Sequence, residues 1–451
     1  MNKNVSMLEG KILPNVIRFT IPLILTSVLQ LLFNAADLVV VGRYCGSNSV
    51  AAVGATSALT HLFVNLFIGL SVGSGVAVAH GIGRADKESV KKTVHTAIPA
   101  SFLCGIGLGI LGIILSQRML TLMGTPDNIL ELSSLYMKIY FAGMPFVLLY
   151  NFTASILRAV GDTKSPLVFL TISGVINVVL NIIFVTVFDM NVAGVALATI
   201  ISQVVSAILV LITLMKRTDE TRFSFSKMGF HKNELLNIIR IGLPAGIQSS
   251  LFAISNVIIQ SSVNSFGDVF MSGSAAAANI EAFVYVCINA FNQCALNFVA
   301  QNSGARKIKR VKMSYINCIV SCVCLSIFLG LFVFIFGEQL LSIYITDSEQ
   351  AIAYGMMRLM YISLPYFLCA FMDVTTGALR GLGASVTPMV ISILGVCGIR
   401  LLWVFTIFNQ PQFHTPQCLF LSYGVSWTVT FIFEFIAFVA LYKKAKTTSI
   451  D

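Results

Sequence analysis

Long hydrophobic segments separated by short polar loops are the feature that most limits how this chain can fold. Twelve such segments are present, each long enough for an α-helix to cross a bilayer, which takes about 20 apolar residues. They lie at residues 16–41, 51–79, 94–116, 132–157, 166–188, 192–215, 235–263, 271–301, 314–336, 351–378, 386–408 and 418–442. Because every backbone group must be satisfied inside lipid, and because the ten-residue alternation of a membrane barrel is missing, the segments are predicted to be helices.

Composition supports the same class. Of the 451 residues, 57% are hydrophobic and 11% are charged, whereas a soluble domain has about 25% charged residues. Soluble cores cannot bury that many apolar side chains. We therefore predict an all-α polytopic membrane protein, with the lipid bilayer as its surroundings.

The positions of Lys and Arg predict which side of the membrane each loop faces. With the N-terminus placed inside, the inside regions hold 24 of the 29 Lys and Arg residues. The outside loops hold only Arg43 and Arg118, while Lys138, Arg358 and Arg400 lie in or at the ends of segments. This positive-inside bias predicts that both termini are cytoplasmic. The short termini are typical of prokaryotic proteins, so we expect the plasma (cytoplasmic) membrane of a prokaryote. It also accounts for the net charge of +10 without a nucleic-acid partner.

The two halves of the chain repeat the same landmarks. Pro22 and Gly161 recur 222 positions later as Pro244 and Gly383, and an arginine stands three or four residues before each of them. Because six spans is an even number, two six-helix copies have the same orientation, as in transporters with parallel repeats. The predicted division is an N-terminal lobe of helices 1–6 at 1–215, a cytoplasmic linker at 216–234 and a C-terminal lobe of helices 7–12 at 235–451.

A row of polar residues runs along the first segment. It consists of Thr26, Gln30, Asn34 and Asp37, whose spacing places them on one helical face. Pro22, one turn before Thr26, predicts a kink that acts as a hinge, and Pro244 takes the same place in the second half. An ionisable residue within a span is a functional candidate by default. Either this face lines a cavity and ends in the titratable Asp37, or it is a packing seam with Asp37 hydrated near the outer surface.

The fifth and sixth segments carry uncharged oxygen-bearing side chains. Ser173, Asn177 and Asn181 follow one another at four-residue intervals on the fifth segment, and Thr199 and Gln203 are four apart on the sixth. Beside a single carboxylate, such groups can bind Na⁺ or hydrogen-bond a protonated acid. Hydrogen bonding between helices, with no ion involved, is the alternative interpretation.

The second half places acidic and aromatic residues on shared helical faces. They are Glu281, Tyr285, Asn289 and Asn292 on the eighth segment and Tyr366 and Asp373 on the tenth. Such groups lining a cleft suit an organic cation; the alternative is a structural ion pair of Asp373 or Glu281 with Arg400. Glu434 has no assigned role. The predicted substrate cavity consists of Gln30, Asn34, Glu281, Tyr366 and Asp373.

Sequence motifs for nucleotide hydrolysis and zinc-dependent proteolysis are missing from the chain. No G-x-x-x-x-G-K-[ST] or H-E-x-x-H occurs. We therefore expect a transporter and not an enzyme, with no cofactor beyond a coupling ion. Active transport would then draw its energy from an ion gradient.

Several stretches resemble the multidrug and toxic compound extrusion (MATE) family, in particular its DinF-like prokaryotic branch. They are ILRAVGDTKSP at 156–166, INVVLNIIFV at 176–185, AGVALATIIS at 193–202 and ALRGLGASVTP at 378–388. The resemblance implies a V-shaped antiporter whose two six-helix lobes rock between outward and inward states. It also implies small amphipathic, often cationic substrates, exported by a monomer in exchange for H⁺ or Na⁺.

The resemblance further implies a cation site in the N-terminal lobe. In this sequence the matching positions are Asp37, Asn177, Asn181 and Thr199. Asn181 stands where the family usually has Asp, which leaves one carboxylate instead of two. A lone, partly buried acid favours protonation, whereas Na⁺ loses a charged ligand. This favours H⁺ coupling and leaves Na⁺ open.

Two other functions remain open at this point. A lipid or lipid-linked saccharide flippase of the same superfamily usually has a basic central cavity and often two extra helices. A membrane-embedded transferase would need a cluster of His, Asp or Glu near an interface, or a sizeable loop. The mostly acidic charges within the spans favour the antiporter over both.

Overall fold

Helices provide the regular secondary structure of the described chain. The computed structural model describes residues 4–346 and 348–448, and these contain no strand. In chain order the α-helices are α1 Ile12–Tyr44, α2 Ser47–Gly83, α3 Lys87–Leu122, α4 Asp127–Ala142, α5 Met144–Ala159, α6 Lys164–Thr186, α7 Asn191–Met215, α8 Lys232–Asn264, α9 Asp268–Gly304, α10 Ile308–Ile335, α11 Gly337–Ser342, α12 Glu349–Arg358, α13 Tyr366–Gly381, α14 Val386–Ser392, α15 Ile399–Trp403 and α16 Pro416–Thr448. Wider π-helical turns occupy Leu359–Ser363, Ile393–Gly398 and Val404–Phe408.

The helices confirm the predicted class and number of spans. Ten helices of the described residues are long and apolar enough to cross a membrane, the stretch Val386–Phe408 counting as one. Two further pairs, α4 with α5 and α12 with α13, pass the same test together but are bent by 47° and 43°. Pro145 lies in the first turn of α5 and Pro365 directly precedes α13, and a proline without an N–H interrupts helical hydrogen bonding there. Counting each bent pair once gives twelve spans, as the hydrophobic segments predict.

Large apolar side chains cover the outside of many helices. Leu103, Ile114 and Phe328 are more than half exposed, for example. In water such extensive apolar surface would favour aggregation. In a bilayer it is the surface that faces lipid, while the helices satisfy their own backbone hydrogen bonds.

The structure shows a duplicated six-helix unit. α1 and α8 each have 33 residues, α2 and α9 each have 37, and α5 and α13 each have 16. Backbone details recur as well. The turn after α5 holds Gly161 at φ +87°, and the turn after α13 holds Gly383 at φ +86°, which is left-handed backbone that favours glycine.

Contacts divide the chain into two compact units, each with its own core. Unit 1 consists mainly of Ile21–Gly246, and unit 2 consists of Ser6–Thr20 with the chain from Ile247 onward. The change of unit within α1 falls next to Pro22, and that within α8 falls two residues after Pro244. Both helices run continuously through their prolines. The predicted lobe boundaries and the hinge role of the two prolines stay predictions.

Each unit buries a set of large side chains among its helices. In unit 1, Leu108, Met137 and Phe141 are buried together where α3 packs on α4 and α5. In unit 2, Tyr315 of α10 stacks on Phe438 of α16 with ring centroids 4.1 Å apart, and α13 packs against α9, α10 and α16. These cores fix the helices that carry the polar residues described below.

The segment between α7 and α8 is tied to the start of α3 within unit 1. The Thr96 hydroxyl donates to the carbonyl of Gly229 (3.2 Å), and the backbone N–H of Ser224 donates to Nε2 of His95 (3.1 Å). Lys87 and Glu220 form an ion pair of 2.9 Å, and the hydrogen bond from Lys87 lowers the pKa of the Glu220 carboxyl below its ordinary value. The basic linker is therefore an ordered strap in the described chain.

Gly161→Ala tests the turn that follows α5. A Cβ at this position would lie 2.2 Å from the carbonyl oxygen of Val5 and would have to adopt a left-handed φ. We expect a loss of stability of at least about 1 kcal/mol, seen as a lower melting temperature of the detergent-solubilised protein. Gly107→Ala is the matched control, because Gly107 lies within α3 and a Cβ there meets nothing within 4 Å. Equal melting temperatures for the two variants would contradict this account.

Candidate ion-coupling and substrate sites

A close contact between α1 and α6 positions the acidic residue of the first helix. The ring of Phe33 lies directly on Gly174, where a Cβ would come within 1.9 Å of a ring atom. Because Gly174 has no side chain, the two helices approach closely, and the next turn of α1 places Asp37 beside Asn181. The lack of a side chain at Gly174 thus allows α1 and α6 to approach where Asp37 contacts Asn181.

Asp37, Asn181, Asn177 and Thr199 form one hydrogen-bonded chain across α1, α6 and α7. Nδ2 of Asn181 donates to Oδ1 of Asp37 in a short hydrogen bond and also lies 3.4 Å from Oδ1 of Asn177. Nδ2 of Asn177 lies 3.4 Å from the Thr199 hydroxyl, which donates to the Val195 carbonyl at 3.0 Å. The structure therefore brings together all four residues of the predicted cation site. Their role in ion coupling stays a prediction.

One side-chain atom of these four hydrogen-bonded residues is left without a hydrogen-bond partner. Oδ1 of Asn181 is buried, and no hydrogen bond reaches it among the described residues. A buried acceptor in that state is costly. If the amide turns over, this oxygen faces Asp37, where a protonated carboxyl can donate a hydrogen bond to it. A cation beside Asp37 would use the same oxygen, together with Oδ1 of Asn177 and the Thr199 hydroxyl, so the donor set fits either H⁺ or Na⁺.

The rest of the polar row on α1 differs in exposure. Thr26 is buried, and its hydroxyl donates to the carbonyl of Pro22 at 2.7 Å. Gln30 and Asn34 are exposed side chains of unit 1. They are not part of the hydrogen-bonded chain in the described residues, and their assignment to a substrate cavity stays a prediction.

Unit 2 contains a cavity of about 320 Å³ with polar and aromatic walls. Its lining residues are Phe252, Asn256, Ile259, Gln260, Ala278, Glu281, Ala282, Tyr285, Arg358, Tyr366, Cys369, Met372, Asp373, Val396, Arg400, Tyr423 and Trp427. The structure thus brings Glu281, Tyr366 and Asp373 to one cavity, as the helical faces predict. Its volume is within the range of sites for small organic ligands.

Glu281 is fully partnered by an arginine that the sequence interpretation did not pair with it. Arg358 makes two parallel bonds to the carboxylate, Nε to Oε1 at 3.1 Å and Nη2 to Oε2 at 2.9 Å. Its third nitrogen donates to the Ser274 hydroxyl at 2.9 Å. Both charged groups are buried, so this bidentate pair is a structural part of the cavity wall.

Arg400 pairs with neither carboxylate of the cavity. The ion pairs of the described residues include no contact of Arg400 with Asp373 or Glu281. The structural pair considered from the sequence is therefore wrong. The physical reason is that Arg358 already occupies Glu281, while the Arg400 guanidinium lies over the ring of Tyr423, 4.0 Å from its centroid.

Asp373 is the remaining carboxylate of the cavity, and it is nearly buried. The hydroxyl of Tyr285 lies close to it. Its backbone carbonyl accepts a hydrogen bond from Nδ2 of Asn292 at 2.8 Å, which fixes α13 on α9. Asp373 makes no ion pair among the described residues, although Arg380 lies near enough to interact with it electrostatically.

Glu434, left without a role by the sequence, lies wholly buried between α16, α13 and α14. The Thr376 hydroxyl reaches both of its carboxylate oxygens, at 2.8 and 2.9 Å, and the Ser392 hydroxyl reaches Oε1 at 2.7 Å. Neither hydroxyl is predictable as its partner from spacing, because Thr376 and Ser392 lie 58 and 42 residues away. Arg358, 77 residues from Glu281, escaped prediction for the same reason.

Replacement of one partner of the Glu281–Arg358 pair tests its structural role. Arg358→Met leaves a buried carboxylate without its counter-charge, and we expect a loss of about 3–5 kcal/mol of stability. Replacing both residues, as Glu281→Gln with Arg358→Met, removes both charges and should recover more than half of that loss. Melting temperatures of the purified variants in one detergent measure both effects. A double variant as unstable as the single one would contradict this account.

Comparison with known proteins places the chain in a family. The MatE family model matches residues 22–183 and again 244–406, one match in each half of the chain. The probable multidrug resistance protein YoeA of Bacillus subtilis is 28% identical over 445 residues, covering 96% of this chain and 94% of YoeA. The multidrug export protein MepA of Staphylococcus saprophyticus is 23% identical and covers 88% of each chain.

Solved structures agree with the sequence comparisons. The crystal structure of MATE in complex with MaL6 aligns with a TM-score of 0.92 at 22% identity, over 99% of this chain and 100% of the other. This likeness shows a shared fold. Because the family model covers most of the chain and matches both copies of its internal repeat, this multi-pass membrane protein belongs to the MatE family.

Proposed function

We propose that this chain is a secondary active multidrug exporter of the plasma membrane, with cytoplasmic termini. It exports amphipathic and cationic organic compounds in exchange for H⁺, or for Na⁺, and Asp37 is its coupling residue. The relatives named as multidrug resistance and multidrug export proteins support the substrate class. The positive-inside distribution of charge supports the orientation.

The hydrogen-bonded chain from Asp37 to Thr199 is the observation that carries this proposal. Asp37 is the one carboxylate among these four hydrogen-bonded residues. No cation forms an ion pair with it among the described residues. Its partner Asn181 can donate to the ionised form and, after rotation of its amide, accept from the protonated form. A group that can be held in both charge states is what reversible proton binding requires.

Ion binding at Asp37 would act on α1 through this chain. Protonation exchanges the hydrogen bond from Asn181 for one in the opposite direction, so the contacts between α1 and α6 change with the charge state. We propose that α1 then bends near Pro22 and that the two lobes shift between outward-open and inward-open states. Export follows if the drug and the ion bind opposite states preferentially.

The unit 2 cavity supports the binding of organic cations. Tyr366 and Trp427 line the cavity with their ring centroids 5.4 Å apart and their planes tilted by 32°, and Asp373 supplies a carboxylate without an ion-pair partner. Ring faces and a carboxylate together attract a flat organic cation. These residues are the proposed substrate contacts.

Asp37→Asn tests the coupling role directly. Purified protein is placed in liposomes, and export of ethidium is followed under a proton gradient and, separately, under a sodium gradient. We expect wild-type transport under the proton gradient and none above empty liposomes for Asp37→Asn, because the amide cannot take up a proton. Asp127→Asn is the matched control, since Asp127 is an exposed carboxyl at the first residue of α4, and it should transport like the wild type.

Each other result of this experiment has a definite meaning. Unchanged transport by Asp37→Asn would overturn Asp37 as the coupling residue. Wild-type transport under sodium alone would assign Na⁺ to the same four residues. Failure of the wild type under both gradients would contradict a multidrug antiporter and favour a flippase of the same superfamily.

Asn181→Asp tests why the chain has one carboxylate at this site. A second carboxylate next to Asp37 raises the local negative charge and adds a charged oxygen ligand, which favours Na⁺. We expect sodium-driven export of ethidium to rise relative to proton-driven export. NaCl should also raise the melting temperature of Asn181→Asp more than choline chloride does, and more than it does for the wild type. No sodium effect in either measurement would contradict the role assigned to Asn181.

A further inference from the structure

Arg400 is a buried cation at the wall of the unit 2 cavity. It is 4% exposed and belongs to the short helix α15, which lies between the π-helical turns Ile393–Gly398 and Val404–Phe408. A π turn widens the helix and re-aims the side chains next to it, and such turns are frequent at functional sites. The local backbone thus departs from a regular α-helix on both sides of the residue that carries the charge.

Only one of the three guanidinium nitrogens of Arg400 makes a hydrogen bond among the described residues. Its Nε donates to the Ser426 hydroxyl at 3.0 Å. Its Nη1 and Nη2 have no hydrogen-bond partner among the described residues. The rings of Tyr423 and Trp427, whose centroids are 4.0 and 5.7 Å away, are its other neighbours. Arg358, the other arginine of the cavity, has three bonded nitrogens by comparison.

The charged groups around the cavity do not neutralise Arg400. Glu281 is held by two bonds from Arg358, and Asp373 lies beyond ion-pair distance of Arg400. Cys369 lies near both, since it interacts electrostatically with Asp373 and with Arg400. The cavity therefore has a negative side at Asp373 and a positive side at Arg400. Aromatic rings stabilise a buried guanidinium only in part. An anion supplies the missing counter-charge and hydrogen-bond acceptors.

The shape and walls of the cavity suit a flat acid. The planar fork of an arginine matches a carboxylate with two parallel bonds. Tyr366 and Tyr423 both pack against Trp427, at 5.4 and 5.7 Å between centroids, so an aromatic wall lies beside the guanidinium. The volume of about 320 Å³ admits a fused ring system with one acidic group.

We propose that the unit 2 cavity binds the carboxylate of aromatic organic acids through Arg400, with the ring system of the ligand against Trp427 and its tyrosine neighbours. The exporter would then accept aromatic acids and zwitterions in addition to organic cations. This consequence for transport rests on the proposed function. Binding itself does not, because it requires neither an ion gradient nor movement of the lobes.

The chain offers a built-in reporter for this binding. Its two tryptophans are Trp403 and Trp427, and only Trp427 lines the cavity. In a Trp403→Phe background, energy transfer from Trp427 to an anthracene ring therefore reports ligand in the cavity. The two probes are anthracene-9-carboxylate and anthracene-9-carboxamide, which share the ring system and differ in charge. We expect the carboxylate to bind at least about tenfold more tightly, the equivalent of one charge-assisted hydrogen bond.

Variants of the cavity assign the preference to Arg400. Arg400→Met should reduce the carboxylate-to-carboxamide ratio to about one by removing the charge, while affinity for the carboxamide stays the same. Arg400→Lys should retain a smaller preference because it keeps the charge and loses the planar fork. Asp373→Asn is the matched control. It removes the cavity carboxylate that forms no ion pair, and it should keep or increase the preference for the carboxylate probe over the carboxamide.

The outcomes separate this proposal from the proposed function. A ratio of one in the Trp403→Phe protein overturns the proposal, even if Arg400→Met cannot be purified. Loss of the preference in Asp373→Asn, or its persistence in a folded Arg400→Met, also overturns it. Failure of gradient-driven ethidium export with the carboxylate preference intact would contradict the exporter and leave this binding site standing.

Discussion

Burial of charged side chains within membrane-crossing helices is the constraint on which the rest of this structure depends. Each such group must find a partner inside the protein, because lipid supplies none. Glu281 is satisfied by a bidentate arginine, and Glu434 by the hydroxyls of two other helices. Asp37 has one amide, and Arg400 has one hydroxyl and two aromatic rings. Asp37 and Arg400, one in each unit, are incompletely satisfied, and we assign ligands to both.

The internal repeat provides the scaffold but not the chemistry. The two halves share helix lengths, the bend in their fourth span and the left-handed glycine after it. The residues of the ion site are not repeated, since Asn177 and Asn181 are followed 222 positions later by Ile399 and Trp403. Unit 2 instead carries its charges on α9, α12, α13 and α15, around the cavity. Duplication thus fixed one backbone, and each copy acquired its own polar residues.

Much of this could be predicted from the sequence because the signals are periodic or local. Hydrophobic length predicts the spans, and four-residue spacing places Asn177 and Asn181 on one face. The prediction that Asn177 and Asn181 lie near Asp37 rested on the family resemblance. The close packing of Phe33 on Gly174 gives a physical reason for this proximity. Such a contact between distant positions leaves no pattern in a single sequence.

The remaining features depend on tertiary structure alone. The partner of Glu281 is 77 residues away and lies next to a π-helical turn, which periodicity does not indicate. The same holds for the position of Arg400 over Tyr423, a consequence of how α15 and α16 pack. A helical wheel shows on which face of its helix a residue lies. Which residue of a neighbouring helix packs against that face is decided by the packing of the whole unit.

Proton release on substrate binding tests the central claim, that drug and proton compete through Asp37, most directly. Ethidium is added to purified protein in weakly buffered detergent solution, and the pH change is read with an indicator dye. The account predicts that the wild type releases protons as ethidium binds and that Asp37→Asn binds ethidium without releasing them. Equal proton release by the two proteins would contradict the assignment of coupling to Asp37 and move it to another acidic residue of the chain.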